Sequence, residues 1–247
     1  MSSRKVEMKP GIAWLFSIWF FCVSAVADTL PLREPIRDYL AWRQSLTLCV
    51  PRIHYPPYLF DHRGMVPDLS WQLAELLKVG LSTHTYPSWE KVKEAFNQGE
   101  CDLVPVLGPE ELEHETAAQS QPLLTVEPAL LYLPQESNGP VLLQPAWYAD
   151  ELLQRILPGH PVRALTPGSS PIPLLQQGKG YAYLGDYLSE RELLRQHPEL
   201  DIRMRTLDRR EWQMSLRMLV RPEPLLLEAV NSAIRYLPPA NVYRVLD

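Results

Sequence analysis

No G-x-x-x-x-G-K-[ST] loop, G-x-G-x-x-G turn, G-x-S-x-G elbow or H-E-x-x-H helix occurs in the 247 residues. The usual sequence grounds for nucleotide binding, serine hydrolysis and zinc proteolysis are therefore missing. Gly168-Ser169-Ser170 reads as a turn and helix cap rather than a phosphate cradle. Histidine is sparse: the six residues at 54, 62, 84, 114, 160 and 197 form no i, i+4 pair, and His114-Glu115 lacks its second histidine. Neither a metal nor a cofactor is expected. Positive charge is in deficit, with 24 Lys+Arg against 29 Asp+Glu and a net charge of -5. Residues 1–27 hold three of the basic residues and one acidic residue, which leaves the remainder with 21 and 28, or -7. That sign argues against nucleic acid as a partner. No internal repeat is visible, and beyond residue 27 no apolar run reaches the ~20 residues of a membrane span.

What is present fits an ordinary globular protein: 46% of residues are hydrophobic and 21% charged, and the length suffices for two small lobes with separate cores. Arg4, Lys5 and Lys9 precede an apolar run, Ile12 to Ala27, that closes on Ala25-Val26-Ala27 before Asp28. This pattern is that of a secretory signal peptide, with an uncleaved anchor as the alternative. Cys22 follows Phe20-Phe21, unlike the cysteine of a lipoprotein signal. The expected product is exported to the periplasm, not membrane-spanning, and monomeric.

After a polar lead-in over residues 28–45, Leu46 to Val50 reads as a strand, followed by the proline-rich loop PRIHYPPYLFDHRG. Leu69, Leu73, Leu76 and Leu77 give a helix with Gly80 as its stop, Leu81 to Tyr86 a strand, and Ser88 caps a helix from Trp89. Gln98-Gly99 ends that helix, and Cys101-Asp102 opens a buried strand. Strand, helix, strand, helix, strand implies a parallel α/β lobe. Gly108 to Gln121 reads as an exposed helical turn and loop, and Pro122 to Pro134 as a strand crossing to a second lobe. There the rhythm repeats: strand Val141 to Gln144, helix Trp147 to Leu157, strand Val162 to Leu165, a short helix at Pro173 to Gln177. Strand Tyr181 to Leu184 with Gly185-Asp186 and helix Tyr187 to Arg195 follow, then Ile202 to Met204. Met214 to Val220 is a strand returning to the first lobe, and Pro222 starts a closing helix.

In order, LTLCVPRIHYPPYLF, PDLSWQLAELL, SWEKVKEAFNQGECDLVPVL, SQPLL, LLQQGKGYAYLGD and LRMLVRPEPLLLEAVNSAI carry a resemblance to the bacterial extracellular solute-binding proteins of family 3. These are type 2 periplasmic binding proteins with the Venus flytrap fold. The resemblance implies an α/β fold of two lobes, each a mostly parallel sheet flanked by helices, joined by two crossing strands. The implied division is signal peptide 1–27, lead-in 28–45, first lobe 46–124, second lobe 125–213 and return 214–247. It implies capture of a small polar ligand between the lobes for an ABC-type transporter, with an inner-membrane permease as partner and no enzymatic activity.

Two departures alter the expected ligand. The turn after the third strand, where amino-acid binders of the family carry a carboxylate-gripping arginine, reads GPEELEHE, and no arginine lies between Arg63 and Arg155. The family's Gly-Thr/Ser pair in the second lobe is replaced by Gln144-Pro145-Ala146-Trp147. Asp186 matches the acid that receives an ammonium group; its alternative role is a helix N-cap. Tyr55, Tyr58 and Phe60 stand in the loop at the C-terminal end of the first strand, where open α/β sheets bind ligands. Trp89 joins them as a cleft candidate, with helix packing as its alternative, and Gln144 as the residue at the altered second clamp. One acid, several aromatics and no arginine imply a neutral or cationic ligand rather than a standard α-amino acid.

In such lobes the strands of Cys49 and Cys101 are neighbours, so a disulfide is geometrically allowed; two separately buried thiols are the alternative. Cysteines at these places also resemble binding proteins associated with quinoprotein alcohol dehydrogenases. That resemblance implies an accessory or signalling role with a degenerate cleft. A third reading is an enzyme resembling the periplasmic cyclohexadienyl and arogenate dehydratases, against which the absent arginine counts.

Overall fold

The computed structural model describes residues 30–60, 63–106, 118–134, 139–144, 150–166, 169–207 and 209–237. The expected signal peptide, the whole of the GPEELEHE turn and the start of the Trp147 helix lie outside these residues. The lead-in contains a helix, α1 (Glu34–Arg43), whose Ile36 and Leu40 are buried one turn apart. Strand β1 (Ser45–Pro51) follows, then helix α2 (Met65–Leu77), strand β2 (Gly80–Tyr86), helix α3 (Trp89–Asn97) and strand β3 (Leu103–Val106). Gly80 was expected to stop α2, but the helix ends earlier, at Lys78 in the left-handed conformation (φ 57°), and Gly80 opens β2 instead. The Val79 amide closes on the Ala74 carbonyl at 3.1 Å, satisfying one of the last carbonyls of the helix.

Strands β4 (Ala118–Gln119), β5 (Leu124–Val126) and β6 (Pro128–Tyr132) come next. The sequence places Ala118–Gln119 in an exposed helical turn and loop. That dipeptide pairs instead with the return strand β11 (Met214–Val220), whose long antiparallel edge recruits it. The remaining elements are β7 (Val141–Leu143), α4 (Asp150–Ile156), β8 (Val162–Ala164), α5 (Ile172–Gln176), β9 (Ala182–Asp186), α6 (Tyr187–Gln196), β10 (Arg203–Thr206) and α7 (Pro224–Tyr236). The closing helix starts on Pro224 rather than Pro222, with proline in the first turn where its missing N–H costs nothing.

Two sheets result. The first runs β2-β1-β3-β11-β4 with β5 also on β11, and the second runs β10-β6-β9-β7-β8. Each has a parallel core, β2-β1-β3 or β9-β7-β8, edged by antiparallel strands. Two chain segments cross between the sheets. Going out, β5 pairs in the first sheet and β6 in the second, with Glu127 alone between them. The return runs from β10 through a 3-10 turn at Arg210–Trp212 into β11. Leu207 N donates to Pro128 O at 2.8 Å, so the crossings lie side by side.

The alternation of β1 decides what covers each face of the first sheet. Leu46, Leu48 and Val50 face a core shared with α1, α2 and α7. Cys49 points the other way, into a cluster with Val92, Ala95 and Phe96 of α3. Each fully buried Leu or Val contributes about 1.5–3 kcal/mol. In that second cluster Cys49 and Cys101 form a disulfide with Cα atoms 5.7 Å apart, because β3 is the parallel neighbour of β1.

Asp102 ties the first lobe together. Its Oδ2 accepts from Thr47 N at 2.8 Å, and its Oδ1 pairs with the guanidinium groups of Arg43 and Arg221. The Arg221 side chain also donates to the carbonyls of Gly99 and Cys101. Gly99 sits at φ +78°, the left-handed position that lets the chain leave α3 and turn into β3. The Gly-x-x-Asp pattern is thus a knot joining α1, β1, α3, β3 and the end of β11.

Candidate functional site

The loop between β1 and α2 folds back on itself through two antiparallel bridges, Tyr55–Leu59 and Phe60–Arg63. It leaves through Gly64 at φ +116°, where a Cβ would stand 2.5 Å from the Tyr58 carbonyl oxygen; only glycine fits. The fold stacks the Tyr55 and Tyr58 rings, with centroids 5.5 Å apart and planes 9° from parallel. Both hydroxyls point across to the second sheet and donate to Asp186, Tyr58 at 2.5 Å and Tyr55 at 3.0 Å.

Asp186 ends β9 and caps α6, accepting from Leu188 N at 3.0 Å and Ser189 N at 3.1 Å. Its carboxylate is fully buried and receives two amide and two phenol hydrogen bonds. Burial pushes its pKa up, while the hydrogen bonds from Tyr58, Ser189 and Tyr55 pull it back. The two amide bonds are those of a helix cap, and the two phenol bonds come from the loop after β1.

One turn on, Glu190 is also buried. Burial first, and the Asp186 charge second, push its carboxyl well above the usual carboxylate range. It occupies the space that a side chain at 185 would need: a Cβ on Gly185 would lie 2.0 Å from Glu190 Oε1. Tyr55 and Tyr183 are pushed up as well, by burial first, then by Asp186 for Tyr55 and by Glu190 for Tyr183. The centre thus holds a hydrogen-bonded carboxylate, a second buried acid whose neutral form burial favours, and three tyrosines.

Two expectations follow. Gly185→Ala should cost about 1–3 kcal/mol in urea unfolding, the range for overpacking. Gly185→Ala with Glu190→Ala should recover part of that loss, and equal losses in the single and double variants would refute the steric account. Glu190→Gln tests the electrostatics. Because the folded pKa lies above the ordinary 4.5, the stability from this group is full below that value and is lost as pH rises through the folded pKa. The glutamine variant should therefore gain on the wild type as pH rises above 4.5, and parallel stability curves would refute the shift.

The structure brings Tyr55, Tyr58 and Asp186 together and leaves Phe60 beside them on the wall of a cavity of about 420 Å³. That cavity lies between residues 56–64 and α6. Gln144 donates to Ser169 O at 3.0 Å and hydrogen-bonds Tyr183 at the margin of the cluster. Trp89 stands apart, packed partly buried against the disulfide cluster under α3. Glu190, Tyr183 and the cavity arginines Arg63, Arg191 and Arg195 were not singled out from the sequence. The available signal was the Asp186–Glu190 spacing of four, which puts both acids on one face at the start of α6. Among the described residues no group of three or more His, Cys, Asp and Glu could hold a metal ion.

No family model matches the sequence, and no curated protein matches it by sequence. Solved structures do resemble it. The B. pertussis BvgS periplasmic domain superposes with a TM-score of 0.75 at 19% identity, covering 88% of this chain and 45% of that one. This chain thus spans under half of that periplasmic domain. The BvgS VFT2 domain by itself gives 0.71 at 14% identity over 87% of this chain and 97% of the other. The ligand-binding core of GluR0 in complex with L-glutamate gives 0.63 at 20% identity over 82% and 96%. The architecture is accordingly that of the two-lobed Venus flytrap domains.

Proposed function

We propose that this chain is an exported binding module that captures a small polar solute between its lobes and presents the closed form to a partner protein. The observation that carries the reading is the pair of bonds from Tyr55 and Tyr58 of the first lobe to Asp186 of the second. These bonds break when the lobes part and form when they close, so the carboxylate reports and holds closure. The lobes on this reading are residues 46–124 with 214–247, and 125–213, behind a signal peptide at 1–27. The protein is a monomeric periplasmic binder rather than an enzyme, and its partner is the inner-membrane permease of an ABC-type transporter.

A second reading, an accessory or signalling protein, is favoured by one observation: the chain's own donors already bond both oxygens of Asp186. Closure then needs no solute at that place. Thermal shift across a metabolite panel tests the binding reading, since a solute at 100 times its Kd adds about 2.7 kcal/mol. No shift with any solute and no co-purified ligand in native mass spectrometry would refute it. Cross-linking in periplasm separates the partners: a permease supports transport, and recovery of other proteins alone supports the accessory role.

A further inference from the structure

We propose that closing the lobes takes up a proton at Glu190, so that falling pH holds the module shut and rising pH lets it open. The proposal rests on the binding reading above for the movement of the lobes and adds what regulates that movement. Its ground is a pair of acids at the seam. Asp186 and Glu190 stand one turn apart at the start of α6 and are 0% and 2% exposed. Both oxygens of Asp186 are bonded, whereas Glu190 Oε2 has no hydrogen-bond partner among the described residues. A buried carboxylate with a bare oxygen beside a second carboxylate is costly, and a proton removes the cost.

The elements around Glu190 supply no counter-charge among the described residues. On β9 a Cβ at Gly185 would lie 2.0 Å from Glu190 Oε1 and 3.0 Å from Tyr183 Cε1, so the carboxyl and the phenol ring flank one gap. Helix α6 also packs on β6 and β10, where Leu131 and Met204 share with Tyr183 the face that meets Leu193 and Leu194. Arg203 and Arg205 of β10, opposite Tyr132 and Leu130, therefore point to the other face of the sheet. On α6 itself Arg191, Glu192 and Arg195 border the cavity, and Arg195 and Glu192 bond each other. The first lobe brings Tyr55 and Tyr58, while His54 of the same loop lies edge-on to Phe60. Burial first, and the Asp186 charge second, favour the neutral form of Glu190.

Closure makes this environment. Tyr55 and Tyr58 reach Asp186 from the first lobe, and Tyr55 lies near Tyr183 as well. When the lobes part the phenols leave, and water reaches the start of α6 and screens one acid from the other. Glu190 then titrates nearer the ordinary 4.5, so its pKa is higher closed than open. The stability this gives the closed form is full below the open-state value and is lost as pH rises through the closed-state value. Asp186, also pushed up by burial, acts with the same sign.

The test is small-angle scattering of the full exported chain without solute, from about pH 5 to about pH 8, with circular dichroism to follow the fold. The closed fraction should fall as pH rises, the closing constant losing up to about tenfold per pH unit for one proton. Glu190→Gln, which keeps the shape and cannot ionise, should flatten that dependence; Glu190→Met gives the same reading if the glutamine variant folds poorly. Tyr55→Phe with Tyr58→Phe should open the lobes at every pH. Scattering of the wild type that does not change with pH, or a pH dependence that both Glu190 variants retain, overturns the proposal. A variant that shifts only the urea midpoint while closure keeps its pH dependence overturns it as well. Closure driven by a solute equally at both ends of the range overturns it too, yet leaves the binding reading standing. No closure with any solute at any pH removes the binding reading and the proposal with it.

Discussion

Asp102→Ala is expected to lower the unfolding free energy by about 3–5 kcal/mol, the range for removing one partner of a buried ion pair. Asp102 is 2% exposed and answers two arginines at once, and the Arg43 Nε is already buried without a partner. Alanine would leave Arg43 uncompensated and free the Thr47 amide between β1 and β3. At about 2–4 °C per kcal/mol for a chain of this size, Tm should fall by roughly 10 °C. Differential scanning calorimetry reads the change. Asp102→Asn, which keeps an acceptor for Thr47 but loses the charge, should fall between wild type and alanine. A loss below about 1 kcal/mol for alanine would show that Arg43 and Arg221 find solvent instead.

Removing the Cys49–Cys101 disulfide should have a comparable effect through another route. The bridge closes a loop with a sequence separation of 52, for which chain entropy gives a stabilisation of about 4 kcal/mol. Both cysteines are 0% exposed, in a cluster with Val92, Phe96, Val104 and Leu219, so the double alanine variant also loses packing. Urea unfolding of Cys49→Ala/Cys101→Ala against the oxidised protein measures the difference. Mass spectrometry after native and denaturing alkylation should find no free thiol at either position until reductant is added. Two modifiable thiols in the denatured, unreduced protein would sink the bridge.

Both effects converge on the stretch from Gly99 to Asp102, and its legibility in the sequence was partial. The amphipathic helix from Trp89, the stop at Gln98-Gly99 and the buried strand that follows were all readable, because local periodicity records which face of an element is covered. The partners of Asp102 were not, since Arg43 and Arg221 lie 59 and 119 positions away, by subtraction of their numbers. Ala118–Gln119 shows the same limit on a small scale. Two residues carry no period, and only the exposed edge of β11 makes them a strand.

The candidate site divides in the same way. Proline spacing marked residues 51–64 as an irregular aromatic loop, and the Gly-Asp pair at the end of β9 marked a helix cap, so Tyr55, Tyr58, Phe60 and Asp186 could be nominated separately. The sequence by itself determined most of the order of strands and helices, through short-range patterns of burial and turn chemistry. The two-lobed architecture and the adjacency of the two cysteine strands were implied by the resemblance to the solute-binding proteins, not by local pattern. Only the tertiary structure decided that Asp186 is filled by Tyr55 and Tyr58, 131 and 128 positions away, and that Arg63 and Arg191 border one cavity. Hydrogen bonds and charges brought together across a cleft impose no period on either segment, so the chain carries no local record of them.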